Sequence, residues 1–268
     1  MKTAFGFFGA GKMAEGILSA MTRLDGFDPA SVIMAEKVPA RARELSRKYG
    51  VKTTPDVAEV ARTAKTVFLA VRPQDLAEVA AAVKPLLTDK QLVVSIVAGK
   101  TLSVLRKALG PKARLVRVMP NLALRAGEGM CAVCGGKNAK PADVKLVKRV
   151  LGAAGRTVEL AEKHFDAVTA LSGSGPAFFA FMELAMAEGG AKLGLPRDAA
   201  RLLAEQTMFG TAKYLRESGA DLKEFIAGVA TKGGTTAAGM DVLAAGDFKS
   251  TVAATLAAAA RRSAELRG

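Results

Sequence analysis

Short apolar runs alternate with longer amphipathic segments through the first part of the chain. Between the runs, apolar residues recur at helical spacing, as in the segment PQDLAEVAAAVKPLL that follows TVFLAV. Strands that alternate with helices of this length form a parallel sheet with helices on both faces. We therefore expect a doubly wound, mostly parallel sheet with the strands TAFGFFG, SVIMAE, TVFLAV, QLVVSIVAG and RLVRVMP.

The strand pattern continues to about Glu162 and then stops. GMCAVCGG is predicted to be an edge strand before a helix at residues 142–151, and TVELAE a further strand. The remaining apolar residues follow helical spacing, interrupted by a Gly-Ser stretch at LSGSGPA. We therefore predict an α/β domain over residues 1–162 and an all-α domain over residues 163–268.

Net charge shifts at the same boundary. The chain carries a net charge of +14, and residues 1–162 hold 27 of its 39 basic residues but 14 of its 25 acidic ones. Such an excess bears on association rather than on fold, and it suits either a solubility feature or a polyanionic partner. Basic residues form no run of five and are not interleaved with aromatic residues, so a nucleic acid is the weaker choice.

The cysteines and the longest apolar stretch bear on location. Cys131 and Cys134 lie on a predicted strand, where side chains three apart face opposite sides, so we expect small core residues and no metal site. The stretch PAFFAFMELAMAEGGAKLGL contains three charges, which argues against a membrane span. The chain leads directly into a strand, and we expect a soluble cytoplasmic protein.

A glycine motif follows the first predicted strand. In FFGAGKMA, from Phe7 onward, Gly9, Gly11 and Ala14 match the spacing G-x-G-x-x-A between a strand and a helix. The first glycine allows a tight turn, the second lets the backbone approach a pyrophosphate, and the small third residue lets helix and strand pack closely. This context predicts a dinucleotide-binding Rossmann domain.

Residues after the second strand give conflicting signals about the dinucleotide. Glu36 stands where an acidic residue commonly binds a ribose 2′-hydroxyl, which indicates NAD. Lys37, Arg41 and Arg43 follow at once and could hold a 2′-phosphate, which indicates NADP. The residues alone leave this preference open.

Six motifs together resemble those of pyrroline-5-carboxylate reductase, in the family's order and over essentially the whole chain. They are GFFGAGKMAEGI, VFLAVRPQDL, VVSIVAGKT, VRVMPN, FDAVTALSGSGPAFF and TKGGTTAAGMDVL. The resemblance implies reduction of 1-pyrroline-5-carboxylate to L-proline, the last step of proline biosynthesis, with NADPH or alternatively NADH. It also implies a C-terminal dimerisation domain, a homodimer, and a larger homo-oligomer built from such dimers.

The resemblance assigns cofactor-binding residues by position. The pyrophosphate loop would run from Phe8 to Met13, and the strand ends near the nicotinamide would supply the other contacts. These residues are Phe8, Gly9, Ala10, Gly11, Lys12, Met13, Ala70, Val71, Arg72, Pro73, Val97, Ala98 and Asn121, with Glu36 and Lys37 at the adenosine end. Three residues depart from the family's usual pattern, which are Lys12 for Asn or Gln, Val57 for Asn, and Lys232 for Pro.

The substrate side is predicted at GGTT and at Ser174. Gly233 and Gly234 could expose successive N–H groups that, with the following helix start, bind a carboxylate. By resemblance Thr236 has its hydroxyl near the imine nitrogen, so Thr236 and Ser174 are the candidate catalytic residues and Thr235 a substrate contact. Capping of a helix start is the alternative role of Ser174 and of both threonines.

An imine is protonated more easily than a carbonyl, so orientation of the reactants can supply most of the rate enhancement. The only histidine, His164, is expected at a helix start without a catalytic role. The absence of a His or Lys acid argues against a hydroxyacid dehydrogenase. A reductase of a related cyclic imine and a non-catalytic NADP-binding regulatory protein remain as alternatives.

Overall fold

The computed structural model describes residues 4–267, which form two compact units. The first unit extends to Ser174 and takes in the chain again from Ala259, and the second unit comprises Gly175–Ala258. The predicted domain boundary after Glu162 lies before this division. The reason is that Phe165 is fully buried against Ala132 and Cys134 of the sheet, so the segment after Glu162 still packs in the first unit.

One eight-stranded sheet forms the centre of the first unit, in the order β3-β2-β1-β4-β5-β6-β7-β8. All neighbouring strands are parallel except β6 and β7, which are antiparallel. This confirms the predicted doubly wound, mostly parallel sheet. The strands are β1 (Phe5–Phe8), β2 (Val32–Ala35), β3 (Lys52–Thr54), β4 (Thr66–Leu69), β5 (Leu92–Ser95), β6 (Arg114–Pro120), β7 (Gly129–Gly135) and β8 (Gly155–Glu159).

Helices cover both faces of the sheet. In chain order they are α1 (Lys12–Met21), α2 (Pro39–Tyr49), α3 (Val57–Thr63), α4 (Leu76–Val83), α5 (Leu102–Leu109) and α6 (Pro141–Gly152). Because successive strand residues face opposite sides, Phe7 enters the cluster under α1 and α6, and Phe8 enters the cluster under α3, α4 and α5. Phe7 also stacks on Phe68 of β4, with ring centroids 5.1 Å apart.

The order of the strands corrects two expectations. GMCAVCGG, which forms β7, is not an edge strand, because β8 pairs in parallel with its free side. At the opposite edge lies β3, the short polar segment Lys52–Thr54, which the hydrophobic pattern did not predict. All three residues are polar and only Thr54 is buried, so the segment carries no apolar alternation that could have marked a strand.

The chain leaves the sheet through a series of short turns. A 3-10 turn at Glu162–His164 leads into α7 (Phe165–Val168), and a π-helical turn at Thr169–Gly173 follows. Asp166 anchors the end of the chain to this region, since its carboxylate accepts hydrogen bonds from Ser263 Oγ at 2.9 Å and from Arg267. The Gly-Ser interruption predicted from the sequence is this π-helical turn, which lies between α7 and the helix that begins at Gly175.

The second unit is entirely helical, as predicted for the C-terminal region. Its helices are α8 (Gly175–Lys192), α9 (Arg197–Ser218), α10 (Leu222–Val229), α11 (Thr235–Ala245) and α12 (Phe248–Glu265), the last of which ends within the first unit. Large apolar side chains on these helices are exposed in the single chain, including Phe179, Phe181, Leu202 and Phe209. Apolar surface of this extent is typical of a protein–protein interface. None of the helices in residues 4–267 combines the length and apolarity needed for a membrane span.

Candidate active site

The glycine loop leaves β1 in a conformation that depends on its first glycine. Gly9 has φ of +89°, and a Cβ at this position would lie 2.8 Å from the carbonyl oxygen of Ala70 at the end of β4. A side chain would therefore meet both backbone strain and a collision with backbone. The loop can keep this conformation only with glycine at position 9.

Gly11 has a different role, because it meets no such constraint. It is the N-cap of α1 with φ of −68°, its Cβ would meet no atom within 4 Å, and no side chain caps the helix. The first N–H groups of α1 therefore have no partner within the helix and face the space that the missing side chain leaves open. A phosphate group fits this cradle, and Lys12, exposed at the first helical position, adds a positive charge beside it.

A cavity of about 340 Å³ lies at the carboxyl ends of β4, β5 and β6. Parallel sheets bind their ligands at this edge, so the cavity is the natural place for the nicotinamide end of a dinucleotide. Six residues predicted for cofactor binding line it, which are Met13, Ala70, Val71, Pro73, Ala98 and Asn121. Ile96, Met119, Pro120, Leu122 and Gly173 line it too and were missed in the sequence.

Three predicted cofactor residues turn their side chains elsewhere. Phe8 and Val97 are buried in the core, with 0% and 4% of their surface exposed, so they can offer only backbone to a ligand. The Arg72 guanidinium is paired with the Asp75 carboxylate, at 2.7 Å from Nε. The hydrogen bond to Asp75 raises the pKa of Arg72, and the bond from Arg72 lowers the pKa of Asp75.

The π-helical turn brings two further groups to the cavity. Asn121 Oδ1 accepts a hydrogen bond from the Met130 N–H at 3.0 Å, which directs Asn121 Nδ2 toward Ser172 Oγ at 3.5 Å. Gly173 lies against Met119, and a Cβ on Gly173 would collide with the end of that side chain. Glycine at this position therefore keeps the cavity wall close to β6.

Three charged residues predicted at or near the adenosine end have different protein partners. Glu36 Oε1 accepts from the Val38 N–H at 2.9 Å, and Lys37 pairs with Glu78 on α4. Arg41 is held by Glu15 on α1, with 2.6 Å between Nη2 and Oε2. Arg43 is exposed on α2, and nothing further in the chain marks it as a ligand contact.

Glu15 is 7% exposed, and three side chains donate hydrogen bonds to it. Arg41, Lys48 and Tyr49 all donate to its carboxylate, at 2.6, 2.8 and 3.1 Å. Burial opposes ionisation of this group, but the three hydrogen bonds outweigh it and lower the pKa of Glu15 from 4.5 to about 2. The sequence offered no signal for this cluster, because its members lie on two separate helices.

The GGTT segment in the second unit forms the turn before α11. Gly233 has φ of +77°, Gly234 is the N-cap of α11, and no side chain caps the helix. Helix capping is therefore not the role of Thr235 or Thr236, which occupy the first two helical positions. The prediction that Gly234 exposes its N–H is wrong, because that group donates to the Thr231 carbonyl at 2.9 Å. The donors left for an anion are the N–H groups of the first turn of α11.

Ser174 does not cap α8 either. Its backbone is helical, with φ of −84° and ψ of −20°, whereas an N-cap residue is extended. Its N–H donates to the Thr169 carbonyl at 2.8 Å and completes the π turn. The alternative role that the sequence suggested for Ser174 is therefore excluded, and its hydroxyl remains a candidate for catalysis.

Comparisons with known proteins give one family. A family model described as pyrroline-5-carboxylate reductase dimerisation matches residues 162–266, and one described as NADP oxidoreductase, coenzyme F420-dependent, matches residues 4–99. A pyrroline-5-carboxylate reductase from Synechocystis is 38% identical over 99% of both chains. The chain belongs to the pyrroline-5-carboxylate reductase family. The resemblance seen in the sequence motifs is thereby confirmed.

Solved structures of pyrroline-5-carboxylate reductases share the fold of both units. The structure of the Coxiella burnetii enzyme matches with a TM-score of 0.94 at 30% identity, covering 100% of each chain. The Plasmodium falciparum enzyme, solved with NADP bound, matches with a TM-score of 0.87 at 26% identity, covering 99% of this chain and 98% of that one. The dimerisation domain of the family accounts for the exposed apolar side chains of the second unit and supports a homodimer.

Departures from the usual pyrroline-5-carboxylate reductase pattern lie in three different settings. Lys12 adds charge at the phosphate cradle, Val57 packs its side chain against the core under α3, and Lys232 is exposed in the turn before α11. The Val57 side chain has no hydrogen-bonding group, so it cannot supply the polar contact that Asn offers at this position. The two lysines each place a positive charge where an anion is expected.

The cysteines and the histidine take no part in this site. Cys131 and Cys134 carry free thiols and belong to different apolar clusters, and burial raises the pKa of Cys131 to about 12. Thiols of this kind are unreactive near neutral pH. His164 is exposed at the end of the 3-10 turn. Within residues 4–267, no three His, Cys, Asp or Glu side chains converge as metal ligands.

Proposed function

We propose that this chain reduces 1-pyrroline-5-carboxylate to L-proline with NADPH, the last step of proline biosynthesis, with NADH as a weaker alternative. The observation that carries the proposal is the pairing of a glycine cradle with an adjoining cavity at the strand ends, in a chain 38% identical to a pyrroline-5-carboxylate reductase over its length. The bound cofactor supplies the hydride that the imine carbon accepts.

The chain's own contribution to the reaction is to bind and orient. Gly9 and Gly11 would let the backbone approach the pyrophosphate, and the cavity lined by Asn121 and Gly173 would hold the nicotinamide. Holding the two reactants in a productive geometry can lower the barrier by about 7 to 11 kcal/mol. No strong acid is required, since the imine nitrogen takes its proton readily near neutral pH.

Substrate binding is assigned to the start of α11. The N–H groups of Thr235 and Thr236 lie in its first turn, where helix donors attract a carboxylate. Gly233, with its positive φ, gives the preceding turn its shape. The Thr236 hydroxyl, exposed at the second position of α11, would then form a hydrogen bond with the ring nitrogen. Lys232 in the same turn strengthens the attraction for the carboxylate.

Ser174 is assigned a hydroxyl contact with the bound reactants. Ser174 follows Gly173, which ends the π turn and lines the cavity, and π turns in helices are frequent at functional sites. We also propose that the dimers assemble into a larger homo-oligomer and that the protein is cytoplasmic. The location is supported by two free thiols, which suit a reducing compartment.

A substrate panel tests this function. NADPH consumption is followed with 1-pyrroline-5-carboxylate and with its six-membered cyclic imine homologue, and the product is identified by mass spectrometry. We expect proline as the product and a higher kcat/KM for the five-membered ring. A preference for the six-membered imine would establish a related reductase instead, and binding of NADPH without turnover of either imine would establish a regulatory protein.

A further inference from the structure

Charged residues in the segment after β2 decide which dinucleotide a Rossmann domain prefers. The structure shows how firmly each of these side chains is held by other protein groups. Arg41 is engaged by three acceptors at once. Its Nε donates to the Ala10 carbonyl at 3.3 Å, Nη2 to Glu15 at 2.6 Å, and Nη1 lies 2.9 Å from Glu44. A guanidinium held in this way has a structural task, because moving it toward a ligand would leave the nearly buried Glu15 carboxylate without its closest partner.

Glu36 is also occupied, in a way that weakens the case for NAD. Its Oε1 accepts the Val38 N–H at 2.9 Å, so the carboxylate stabilises the turn that leads into α2. One oxygen of the Glu36 carboxylate is thereby committed to the backbone of its own turn. Glu36 is therefore weaker evidence for NAD than its position in the sequence suggested.

Lys37 is held by a single exposed partner. Its Nζ lies 2.6 Å from Glu78 Oε1, and the two side chains are 69% and 70% exposed. The hydrogen bond to Glu78 raises the pKa of Lys37, so the ammonium stays charged. Exposed pairs of this kind contribute little to stability and are easily exchanged for another anion.

The position of this pair matches the path of the cofactor. β1 lies between β2 and β4 in the sheet, Lys37 follows β2, and Glu78 lies on the helix that follows β4. The ion pair therefore connects the segments beyond the two strands that flank β1, at the edge where the glycine loop begins. In Rossmann domains the adenosine ribose lies at the end of β2 beside this loop.

We propose that Lys37 selects NADP(H) over NAD(H) by binding the 2′-phosphate, and that Glu78 competes with this phosphate for the same ammonium group. A phosphate ester carries up to two negative charges and three acceptor oxygens, so it displaces the singly charged Glu78 carboxylate. NAD(H) has a neutral hydroxyl at this position and leaves the ion pair intact. Glu78 thus reduces the affinity for NADP(H) and leaves the affinity for NAD(H) unchanged.

Calorimetric titration of the full-length protein with NADP⁺ and with NAD⁺, without substrate, tests the proposal in three variants. Lys37→Met should weaken NADP⁺ binding by about tenfold, as expected for loss of a charged hydrogen bond. Glu78→Gln should tighten NADP⁺ binding by about two- to fivefold, the range of an exposed ion pair. NAD⁺ affinity should stay constant in both, and the double variant should match Lys37→Met because Glu78 acts through Lys37.

Glu159→Gln is the matched control, since it removes the same charge from an exposed pair. Glu159 ends the edge strand β8 and pairs with Lys148 of α6, far from β2 and β4 in the strand order. It should leave both affinities unchanged. An unchanged NADP⁺ affinity in Lys37→Met would overturn the proposal and assign the phosphate to another cation, such as Arg43. If Glu78→Gln tightens NADP⁺ binding even when Lys37 is replaced by Met, the proposed competition between Glu78 and the phosphate is wrong. It is also wrong if Glu159→Gln tightens NADP⁺ binding to the same extent.

The inference rests on the proposed function only for the identity of the cofactor. The two can therefore fail separately. If the protein reduces 1-pyrroline-5-carboxylate while its NADP⁺ affinity is indifferent to Lys37 and Glu78, the selection mechanism alone is wrong. If the affinities change as expected but no imine is reduced, the proposed reaction alone is wrong.

Discussion

Arg41 on α2 is hydrogen-bonded to Glu15 on α1 across 2.6 Å, and the same guanidinium donates to the Ala10 carbonyl in the glycine loop. The loop that is proposed to cradle the pyrophosphate is thereby tied to the helix that follows β2. One arginine on α2 therefore holds both α1 and the glycine loop. The cluster therefore bears on stability and on cofactor binding together.

Replacing Glu15 with Gln should lower the free energy of unfolding by about 1 to 3 kcal/mol at pH 7. The range lies between an exposed pair and a fully buried one, since the Glu15 and Arg41 side chains are 10% and 21% exposed. Chemical unfolding at a fixed protein concentration measures the loss. Glu44→Gln removes the exposed carboxylate that contacts the same arginine, and it should cost less than about 0.5 kcal/mol.

The stabilising effect of Glu15 should depend on pH in a defined direction. Because the pKa of Glu15 is lowered to about 2 in the folded protein, its stabilisation is complete above the unfolded value near 4.5 and is lost as the pH falls toward 2. The difference in thermal midpoint between the wild-type protein and Glu15→Gln should therefore shrink between pH 6 and pH 3. A difference that stays constant over this range would contradict the assigned ionisation.

Gly9 and Gly11 should respond differently to alanine. Gly9→Ala combines a positive φ with a Cβ 2.8 Å from the Ala70 carbonyl, so we expect a loss of about 2 kcal/mol in stability and a loss of cofactor binding. Gly11→Ala meets no protein atom within 4 Å and should keep its thermal midpoint while NADPH affinity falls about tenfold or more. Differential scanning fluorimetry with and without NADPH separates the two effects, and a destabilised Gly11→Ala would argue against this assignment.

Arg117 on β6 should be the most costly cation to remove from the sheet. It is 5% exposed, lies 4.6 Å from the centre of the Phe165 ring, and pairs with Glu162 at 2.8 Å. Arg117→Met should destabilise the protein by about 3 kcal/mol, because Glu162 loses its partner. Glu162→Gln keeps an oxygen acceptor for the Leu102 N–H but leaves the buried Arg117 guanidinium without an anionic partner, so it should cost a similar amount. A loss below about 1 kcal/mol in either variant would show that the ion pair contributes little to stability.

Thr236→Ala should lower kcat with 1-pyrroline-5-carboxylate by about tenfold to a hundredfold, the effect of losing one donor at the reacting nitrogen. The affinity for NADPH should be unchanged, since the residue belongs to the substrate side. Steady-state kinetics and NADPH titration give the two values. Thr255→Ala, an exposed helical threonine on α12, is the control. Unaltered turnover in Thr236→Ala would remove this hydroxyl from the mechanism.

Local patterns were sufficient to predict much of the molecule. Alternating apolar runs indicated the parallel sheet, and the spacing of Gly9, Gly11 and Ala14 indicated the cradle, because both signals lie within a few neighbouring residues. The edge strand β3 was missed because its three residues are polar, including the buried Thr54. β8 in turn occupies the edge position that the sequence had assigned to β7.

Features that depend on contacts distant in sequence could not be predicted. Ile96, Met119 and Gly173 meet at one cavity only because of the strand order and a π turn. Glu15 looks like an ordinary surface residue of a helix until α2 places three donors around it. The Gly234 N–H seemed available for a ligand, since its bond to Thr231 follows from the type of turn and not from composition.

Transfer of deuterium tests the central claim most directly. The protein is incubated with 1-pyrroline-5-carboxylate and NADPH that carries deuterium at both positions of nicotinamide C4, and the product is analysed by mass spectrometry and NMR. The account predicts L-proline with a single deuterium on the carbon that formed the imine bond. Proline without deuterium, or consumption of the cofactor without proline, would contradict it.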